Sequence, residues 1–437
     1  MYFSKHNIFS KIKDSDSYYL VNLLTGNADI LDEEKGAEVL AGNYSEVEEY
    51  FEKGYLADVK AEKKLYIEKY LEFTETRDSD ELQIFFVPWY SCNFDCSYCY
   101  QIGYDNEANT PSTEVINSFF NYVSKEFSGR KKYITLFGGE PLLTGNKNKE
   151  TVKYFLDKAE ANNIDIAIVT NGFALTEYMD ILKSKRIREI QVTLDGADEL
   201  HNQRRPLRGG NPTFYKIVEG IDLALANNLT INLRAVIDKE NIYGLVELAR
   251  YAIEKGWTKN PLFKTQLGRN YELHYCQSGN TKLLSRLEFY ETLYKIIKQY
   301  PEIVEFHRPA FSITKYLFEN GELPSPLFDS CPGTKTEWAF DYTGKIYSCT
   351  ATVGKPGSEL GTFYPEVTLA KEKVTEWEER DVTSIPECRE CSLQLACGGG
   401  CAAVSSNRTG KIQSPDCRPI KELIGMGISY FYSKELE

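Results

Sequence analysis

The chain has 437 residues, 42% apolar and 26% charged, a composition typical of a soluble globular protein of two to four domains. Its net charge of −13 argues against nucleic acid as the main partner, because phosphate binding needs a basic face. No apolar run approaches the roughly eighteen residues that span a membrane, and the first residues lack a signal-peptide core, so we expect a cytoplasmic protein without a membrane partner. Eleven cysteines in that reducing compartment favour metal ligation over disulfides.

The first eighty residues are predicted to form a small unit of their own. A β-rich run at 18–24 is followed by a turn and a return strand at 28–31, and helical stretches lie near 45–53 and 62–73. This order fits a cap that packs on the next domain. It also fits a winged-helix-like module in which an extended peptide adds to a sheet edge. The pattern by itself favours the cap.

Strand and helix signals alternate from residue 82 to about 269. Strands are predicted at 82–87, 133–137, 164–170, 189–194, 230–237 and 262–267. The helix between the first two has apolar residues at a spacing of four, with Ser112 as N-cap and Gly129 after its end. Six β–α units predict a parallel sheet curved into a partial (β/α)6 TIM-like barrel, with the chemistry at the strand C-termini.

Cys92, Cys96 and Cys99 directly follow the first of these strands, separated by three and then two residues. A closed zinc site or a fully ligated iron–sulfur cluster needs four ligands. Three thiolates on one loop leave one iron of a cubane free to bind something else. The alternative is a zinc site completed by a distant ligand.

Two further strand ends carry polar or glycine-rich runs. Residues 138–141, Gly-Gly-Glu-Pro, follow the second strand, where the lack of a Cβ lets backbone approach a ligand closely. Thr193 and Asp195 end the fourth strand and precede Arg205, a set able to hold a ribose, an amine and a carboxylate. Taken separately, a plain turn and a surface ion pair explain these residues more simply.

Together, the three patterns resemble the radical S-adenosylmethionine (SAM) superfamily, in which SAM occupies the free iron of a [4Fe–4S] cluster. The resemblance implies that Cys92, Cys96 and Cys99 bind this cluster. It also implies a set of SAM contacts: Tyr98, Gly138, Gly139, Glu140, Thr193 and Arg205. The run 170–172 and Arg234 fit the same pattern more loosely.

A helical bridge near 283–300 leads to a glycine-rich region with seven cysteines, which we expect to be held together by metal more than by a large apolar core. Zinc ribbons are one interpretation, although seven is an odd number for closed zinc sites. The spacing resembles the SPASM domain in every gap, and this resemblance implies two auxiliary [4Fe–4S] clusters. The distal cluster would be bound by Cys388, Cys391, Cys397 and Cys417. Three ligands of the proximal cluster would be Cys331, Cys349 and Cys401.

The proximal set is one ligand short. Family members with a complete proximal cluster have another cysteine shortly before the position of Cys331, but 323–330 contains none. Cys276 is the only cysteine left. Either Cys276 folds back as the fourth ligand, or the site is open to a substrate thiolate. In the latter case Cys276 is a small buried hydrophobic residue.

The resemblance covers about 82–418 and implies a radical SAM/SPASM maturase of a ribosomally made precursor peptide. Such enzymes often begin with a precursor-recognition domain, which gives weight to the winged-helix interpretation. The expected domains are 1–80 for peptide recognition, 81–300 for the radical SAM barrel and 301–437 for SPASM. The expected cofactors are SAM and three [4Fe–4S] clusters, with a low-potential electron donor such as ferredoxin or flavodoxin.

A thioether from a cysteine to a carbon atom is the leading expected product, made by an oxidoreductase that uses a 5′-deoxyadenosyl radical. Carbon–carbon cross-linking or another oxidation of a peptide residue needs the same equipment. Anaerobic sulfatase-type maturation of Cys or Ser is a rival, although those enzymes carry an acidic residue where Thr350 stands and lack a substantial N-terminal extension. A zinc-bound interaction protein is the non-enzyme alternative. The sequence selects no catalytic general base.

Overall fold

The computed structural model describes residues 1–101, 104, 109–270 and 281–433. The elements of the first unit are β1 Tyr2–Phe3, β2 Asn7–Lys11, β3 Tyr18–Asn22, β4 Asn27–Leu31, α1 Glu33–Ala41, α2 Val47–Glu52, β5 Leu56–Ala57 and α3 Val59–Ser79. Strands β2, β3 and β4 form an antiparallel sheet in that order, and β1 pairs with β5. The sequence pattern located β3, β4, α2 and α3, but it missed β1, β2, α1 and β5.

The middle region alternates strands and helices as expected. Its elements are β6 Leu82–Val87, α4 Thr113–Glu126, β7 Lys132–Leu136, α5 Asn146–Ala161, β8 Asp165–Thr170, α6 Leu175–Leu182, β9 Ile187–Thr193, α7 Asp198–Arg204, α8 Phe214–Ala226, β10 Ile231–Ile237, α9 Leu245–Glu254, β11 Phe263–Arg269 and α10 Arg286–Gln299. Strands β6 to β11 are all parallel and neighbour one another in chain order. The protein therefore has a mixed α/β fold with a sheet that is mainly parallel, consistent with a TIM-like arrangement.

Helix α4 illustrates why these segments pack on the sheet. The hydroxyl of Ser112 accepts a hydrogen bond from the Val115 main-chain nitrogen at 3.4 Å, which satisfies one of the free N–H groups at the helix start. Of the apolar residues spaced by four, Val115, Phe119 and Val123 are buried, and the ring of Phe119 lies 4.6 Å from that of Phe86 on β6. The apolar stripe predicted from the sequence is thus the face that covers the sheet.

The C-terminal region is continuous with the same sheet. Its elements are α11 Ile303–Phe306, α12 Thr314–Asn320, β12 Glu337–Asp341, β13 Lys345–Tyr347, β14 Gly361–Thr362, β15 Thr368–Leu369, α13 Lys371–Glu378, α14 Pro386–Arg389, α15 Gln394–Cys397, α16 Ala402–Thr409 and α17 Ile420–Phe431. Strand β12 pairs in parallel with β6, and β13 to β15 continue antiparallel, which gives a sheet of ten strands. No helix in the described ranges is long and apolar enough to cross a membrane.

The N-terminal unit packs on this C-terminal region. The buried ring of Phe328 contacts Tyr66, Tyr70 and Phe73 of α3, with ring centroids 5.1 to 5.6 Å apart. The hydroxyl of Tyr70 also donates to the carboxylate of Asp381 at 2.7 Å. The first eighty residues therefore contact the cysteine-rich end of the chain, which follows them only after the whole barrel.

Candidate active site

The loop that carries Cys92, Cys96 and Cys99 leaves the carboxyl end of β6. Burial, together with the charges of Glu140 and of the other two thiols, raises the pKa of Cys92 to about 12. The main-chain N–H of Phe94 points to the Cys92 sulfur, with the two atoms 3.4 Å apart. The structure therefore brings the three predicted cysteines into one group at the strand end.

A second stretch of chain holds this loop by backbone pairing. Residues 93–97 run antiparallel to residues 204–208, with an isolated bridge between Phe94 and Leu207. Three main-chain hydrogen bonds join the stretches: Asp95 N to Pro206 O at 2.9 Å, Ser97 N to Arg204 O at 3.1 Å, and Arg208 N to Asn93 O at 2.9 Å. Sequence reasoning missed this pairing, because a single bridge produces no periodic pattern.

The glycines at 138 and 139 pass directly against the same loop. The main-chain nitrogen of Glu140 donates to Ser91 O at 3.0 Å, and a Cβ on Gly139 would lie only 2.2 Å from that oxygen. We expect glycine here from the sequence because the lack of a Cβ lets backbone approach a ligand. In the structure the close approach is to the protein's own backbone, so these glycines position the cysteine loop.

The carboxylate of Glu140 is buried and occupied by protein donors. It accepts hydrogen bonds from Leu142 N at 2.7 Å, Thr170 Oγ1 at 2.6 Å and Asn171 N at 2.6 Å. Burial raises its pKa, and these three donors oppose the shift. Glu140 thus ties the end of β7 to the end of β8, and the loosely matching run 170–172 lies in contact with it.

Tyr98 and Arg205 meet at this site together with Asp195. The Tyr98 hydroxyl donates to Asp195 Oδ2 and accepts from Arg205 Nη1. Asp195 Oδ1 accepts from the main-chain nitrogen of Val236 at 2.8 Å. Burial raises the pKa of Cys96 to about 11, and the charge of the Arg205 guanidinium opposes this shift. The buried Nε of Arg205 has no hydrogen-bond partner among the residues that the structure describes. A cationic donor is therefore available beside the cysteines.

His201 helps to hold the main chain at Asp195 and Arg205 in place. No role was predicted for this histidine from the sequence. Its Nδ1 accepts from the Asp195 main-chain nitrogen at 3.3 Å, so its proton lies on Nε2, 3.1 Å from Thr213 Oγ1. That hydroxyl in turn donates to the carbonyl of Arg205 at 2.8 Å. Burial lowers the pKa of His201 well below its ordinary value, so the ring is neutral.

Thr193 and Arg234 lie side by side on neighbouring strands. Thr193 is the last residue of β9 and is paired in register with Arg234 of β10. The Arg234 side chain lies over Gly268 of β11, where a Cβ would come within 3.1 Å of Arg234 Nη2. Both residues are thus close to the carboxyl edge of the sheet, as the sequence predicted for Thr193.

The seven C-terminal cysteines form two groups. Burial raises the pKa of Cys388 to about 12. The charges that contribute to this shift are those of the other members of one group: Cys397, Cys391 and Cys417. In the second group, burial raises the pKa of Cys349, and the charges of Glu337, Cys331 and Cys401 contribute to the same shift. The structure thus brings together the cysteines of each expected set, and their role as cluster ligands stays a prediction. Cys276 lies outside the described residues.

Three consecutive glycines separate the two groups. Gly398, Gly399 and Gly400 have φ angles of +61°, +75° and +72°, a left-handed path that side chains rarely adopt. A Cβ on Gly400 would lie 2.1 Å from Asp416 O. The turn lets Cys397 join one group and Cys401 the other.

A fully buried arginine holds this turn. Arg380 donates to four main-chain carbonyls: Ile412 O at 2.7 Å, Gly400 O at 3.1 Å, Gly399 O at 2.9 Å and Ser414 O at 3.0 Å. Nearby, Asp329 accepts from the main-chain nitrogen of Cys331 at 2.9 Å and is paired with the buried Lys335. Nothing in the sequence pattern distinguishes these charged residues from surface ones.

The donor sets suit iron–sulfur clusters. In several cases the sulfur accepts a main-chain N–H from two residues further on, as Cys92 does from Phe94, Cys349 from Ala351 and Cys397 from Gly399. Such hydrogen bonds and all-thiolate ligation are typical of these clusters. Within the described ranges, no three ligand-type side chains converge as they do around a single metal ion. The all-thiolate sets and their main-chain donors are the observations that fit iron–sulfur clusters.

Comparison with known proteins identifies a radical SAM domain in this chain. A family model for the radical SAM superfamily matches residues 86–252. The serine-type anaerobic sulfatase-maturating enzyme of Bacteroides thetaiotaomicron is 24% identical over 361 residues, which cover 73% of this chain and 81% of that protein.

Two solved proteins share the fold. Native anSMEcpe with bound AdoMet and Cp18Cys peptide has a TM-score of 0.61 at 18% identity, covering 81% of this chain and 98% of that one. Streptococcus suis SuiB, solved with S-adenosylmethionine and with the precursor peptide SuiA, has TM-scores of 0.54 and 0.50 at 14% and 15% identity. The two SuiB structures cover 94% and 95% of this chain, and 98% of their own.

The parallel α/β sheet and the cysteine loop at its carboxyl edge define an iron–sulfur enzyme with a TIM-like fold. The chain belongs to the radical SAM superfamily.

Proposed function

We propose that this enzyme modifies a ribosomally made precursor peptide, and that a cross-link from a cysteine sulfur to a carbon atom is its product. The observation that carries the proposal is the distribution of the described cysteines into three groups, one at the barrel and two beyond it. The barrel group has three thiols, which leaves room for SAM, and the other groups supply auxiliary clusters bound as the SPASM resemblance implies.

The chain's own residues would hold and orient the cofactor. Bound at Cys92, Cys96 and Cys99, the cluster supplies the electron that cleaves SAM to methionine and a 5′-deoxyadenosyl radical, in the low-potential range of roughly −400 mV or below. Arg205, fixed by Tyr98, offers a buried positive charge to an anionic part of SAM. Thr193 offers a hydroxyl at the adjacent strand end.

Several features of the barrel would keep the reaction under control. The pairing of 93–97 with 204–208 fixes the cysteine loop, and the neutral His201 fixes Asp195 beneath it. A buried, preorganised site excludes water and holds a reacting C–H bond within reach of a radical. An external low-potential donor such as ferredoxin or flavodoxin would deliver the electron.

The N-terminal unit is the proposed site of peptide recognition, as a winged-helix-like domain. Strand β4 is bonded to β3 on one side only among the described residues, and Ile30 on β4 is exposed. An extended peptide can add to such an edge through main-chain hydrogen bonds. Similarity to SuiB across 94% of the chain supports the assignment.

Sulfatase-type maturation is the second candidate, because the relative in Bacteroides thetaiotaomicron bears that name and aligns over 73% of this chain. Two features of this chain disfavour it. Thr350 stands beside Cys349 where those enzymes carry an acidic residue, and the N-terminal unit has the size of a separate domain.

Metal analysis tests the cofactor assignment. Anaerobically purified and reconstituted enzyme should hold roughly twelve irons and a similar amount of labile sulfide per chain, as three cubanes of four irons each. Replacing Cys92, Cys96 and Cys99 together by alanine should remove about four of these irons and abolish SAM cleavage. Zinc without labile sulfide would contradict the enzyme assignment.

Mass spectrometry tests the substrate. The peptide to use is a short cysteine-containing product encoded beside this gene, incubated with SAM and reductant. A thioether should appear as the loss of two hydrogens and of one alkylatable thiol. Turnover of a sulfatase-derived Cys or Ser peptide instead, with conversion to an aldehyde, would favour the second candidate.

A further inference from the structure

Arg234 lies on the inner face of the barrel. Leu233 and Ala235 flank it along β10, and both are buried in the hydrophobic core that the helices share with the sheet. Because successive side chains of a strand point to opposite faces, Arg234 points into the barrel. Its half-buried guanidinium lies against Gly268 of β11, where a Cβ would come within 3.1 Å of Arg234 Nη2.

The side chains on either side of Arg234 are polar. Thr193 of β9 and Gln266 of β11 are both in register with Arg234, so the three side chains lie next to one another on one face of the sheet. Within the part of the chain that the structure describes, none of the three side chains makes a hydrogen bond or an ion pair. Three hydrogen-bonding groups therefore face the inside of the barrel together.

Other cations on these strands and loops are balanced by carboxylates. Arg204 pairs with Asp238 at 2.9 Å, and Lys264 of β11 lies 3.9 Å from Glu189. The chain has 64 acidic residues against 51 lysines and arginines, so carboxylates are plentiful. Arg234 is nevertheless without one among the described residues. A cation inside a barrel attracts anions strongly, because little water screens its charge.

SAM does not account for this cation. SAM carries a single carboxylate, and the proposed function already gives Arg205 to an anionic part of that cofactor. Thr193, the other residue assigned to SAM at the strand ends, is the immediate neighbour of Arg234 across the two strands. An anion bound at Arg234 would thus lie beside SAM, where a peptide must present its reacting carbon.

We infer that Arg234, with Gln266 beside it, binds a carboxylate of the peptide substrate and so places the reacting residue next to SAM. It rests on the proposed function and deepens it, because an acidic group close to the modified position becomes a requirement for efficient turnover. A guanidinium can hold a carboxylate through two parallel hydrogen bonds, which fix orientation as well as charge. An Asp or Glu side chain and the C-terminal carboxylate of the peptide share this chemistry.

The test compares the reconstituted full-length enzyme with Arg234→Gln, using the cysteine-containing peptide encoded beside this gene. Loss of the charge should lower kcat/KM for the peptide about 10- to 100-fold. The iron content and the KM for SAM, measured by SAM cleavage without peptide, should not change. Arg250→Gln is the matched control, because Arg250 on α9 is exposed and paired with Glu302 at 2.8 Å. It should behave as the unchanged enzyme.

Peptide variants identify which carboxylate is bound. Each Asp and Glu is changed in turn to its amide, and a further peptide has an amidated C-terminus. One of these should lower kcat/KM as much as Arg234→Gln does, and the two changes together should cause little further loss, because both remove the same contact. If the carboxylate is a side chain, a lysine at that peptide position should partly restore turnover by Arg234→Glu, a result that misfolding cannot produce.

An unchanged kcat/KM for the peptide in Arg234→Gln would overturn the inference, as would additive losses in every pairing of enzyme and peptide variants. A raised KM for SAM would also overturn it, because Arg234 would then belong to the cofactor site. Each of these results leaves the proposed function standing. An enzyme without iron, sulfide or SAM cleavage, tested before any peptide is added, would contradict the proposed function and the inference with it.

Discussion

The cysteine loop at the barrel and the cysteine groups of the C-terminal region are held in different ways. Backbone pairing with 204–208 and the close passage of Gly139 fix the loop. The C-terminal groups depend on buried charged side chains, above all Arg380, and on a left-handed glycine turn. The backbone of a parallel sheet determines the geometry of a site at its edge. In a region without regular secondary structure, individual side chains must hold the site in place.

Loss of Arg380 should have the largest effect and should act on the C-terminal groups. Arg380→Met removes all four hydrogen bonds and leaves buried carbonyls unsatisfied, at a cost of about 3–5 kcal/mol. We expect loss of the auxiliary irons before those of the barrel cluster, measured by iron content and by SAM cleavage. Arg380→Lys keeps the positive charge but lacks the planar donor group. Its content of auxiliary iron should lie between those of the unchanged chain and Arg380→Met. Equal loss of all three clusters would show that the two regions are not independently held.

Gly139→Ala is the reciprocal change at the barrel. Its Cβ would meet Ser91 O at 2.2 Å, so the cysteine loop must shift, at a cost of about 1–3 kcal/mol. The barrel cluster and SAM cleavage should be lost while roughly eight auxiliary irons remain. Gly129→Ala is the control, because that glycine has a positive φ, which Gly139 lacks, but no atoms within 4 Å of its Cβ position. It should cost only about 1 kcal/mol and leave all clusters in place.

Acid should weaken the barrel site through His201. Burial lowers its pKa well below 6.5, so the unfolded chain binds the proton first. The stabilisation is therefore complete above about pH 6.5 and is lost as the pH falls, by about 1.4 kcal/mol at one pH unit lower. His6 and His307, whose burial lowers each pKa to about 4, add to the same trend.

The comparison that isolates His201 is His201→Gln against the unchanged chain in thermal unfolding between pH 7.5 and pH 5.5. The variant should lose part of the pH dependence. An identical slope in both proteins would contradict the assignment of this histidine.

The smallest effect is expected at the contact between the N-terminal unit and α10. Asp14 accepts from Tyr294 at 3.0 Å and from Lys298 at 2.6 Å, but both charged side chains are about half exposed. Asp14→Asn should cost about 0.2–1 kcal/mol, since exposed ion pairs contribute little. Asparagine also tolerates the positive φ of 56° at this position. Thermal unfolding should shift by a few degrees at most, with unchanged iron content.

The sequence predicted the strands of the barrel well because buried parallel strands appear in a sequence as short apolar runs. All six strands lie within two residues of their predicted bounds, as β10 at Ile231–Ile237 illustrates. The cysteines that the family resemblance assigned to one set are neighbours in the structure, while their role as ligands stays a prediction. The strands are recognised from short stretches of sequence, and the cysteine groups from the spacing between the cysteines.

The features that the sequence did not predict depend on contacts between distant residues. Strand β12 joins β6 across about 250 residues, and it is only five residues long. Arg380 looks like a surface residue in sequence, because burial of a charge leaves no periodic signal. A close approach of backbone at Gly139 was predicted from the sequence, but its approach to the main chain of Ser91 was not.

The pairing of β12 with β6 has a practical consequence for anyone who cuts the chain. A fragment ending near residue 300 would expose one side of β6, an apolar strand buried almost throughout. Open strand edges of that kind recruit other chains and aggregate. The barrel is thus expected to be insoluble when expressed alone, and the C-terminal region acts as its built-in edge protection.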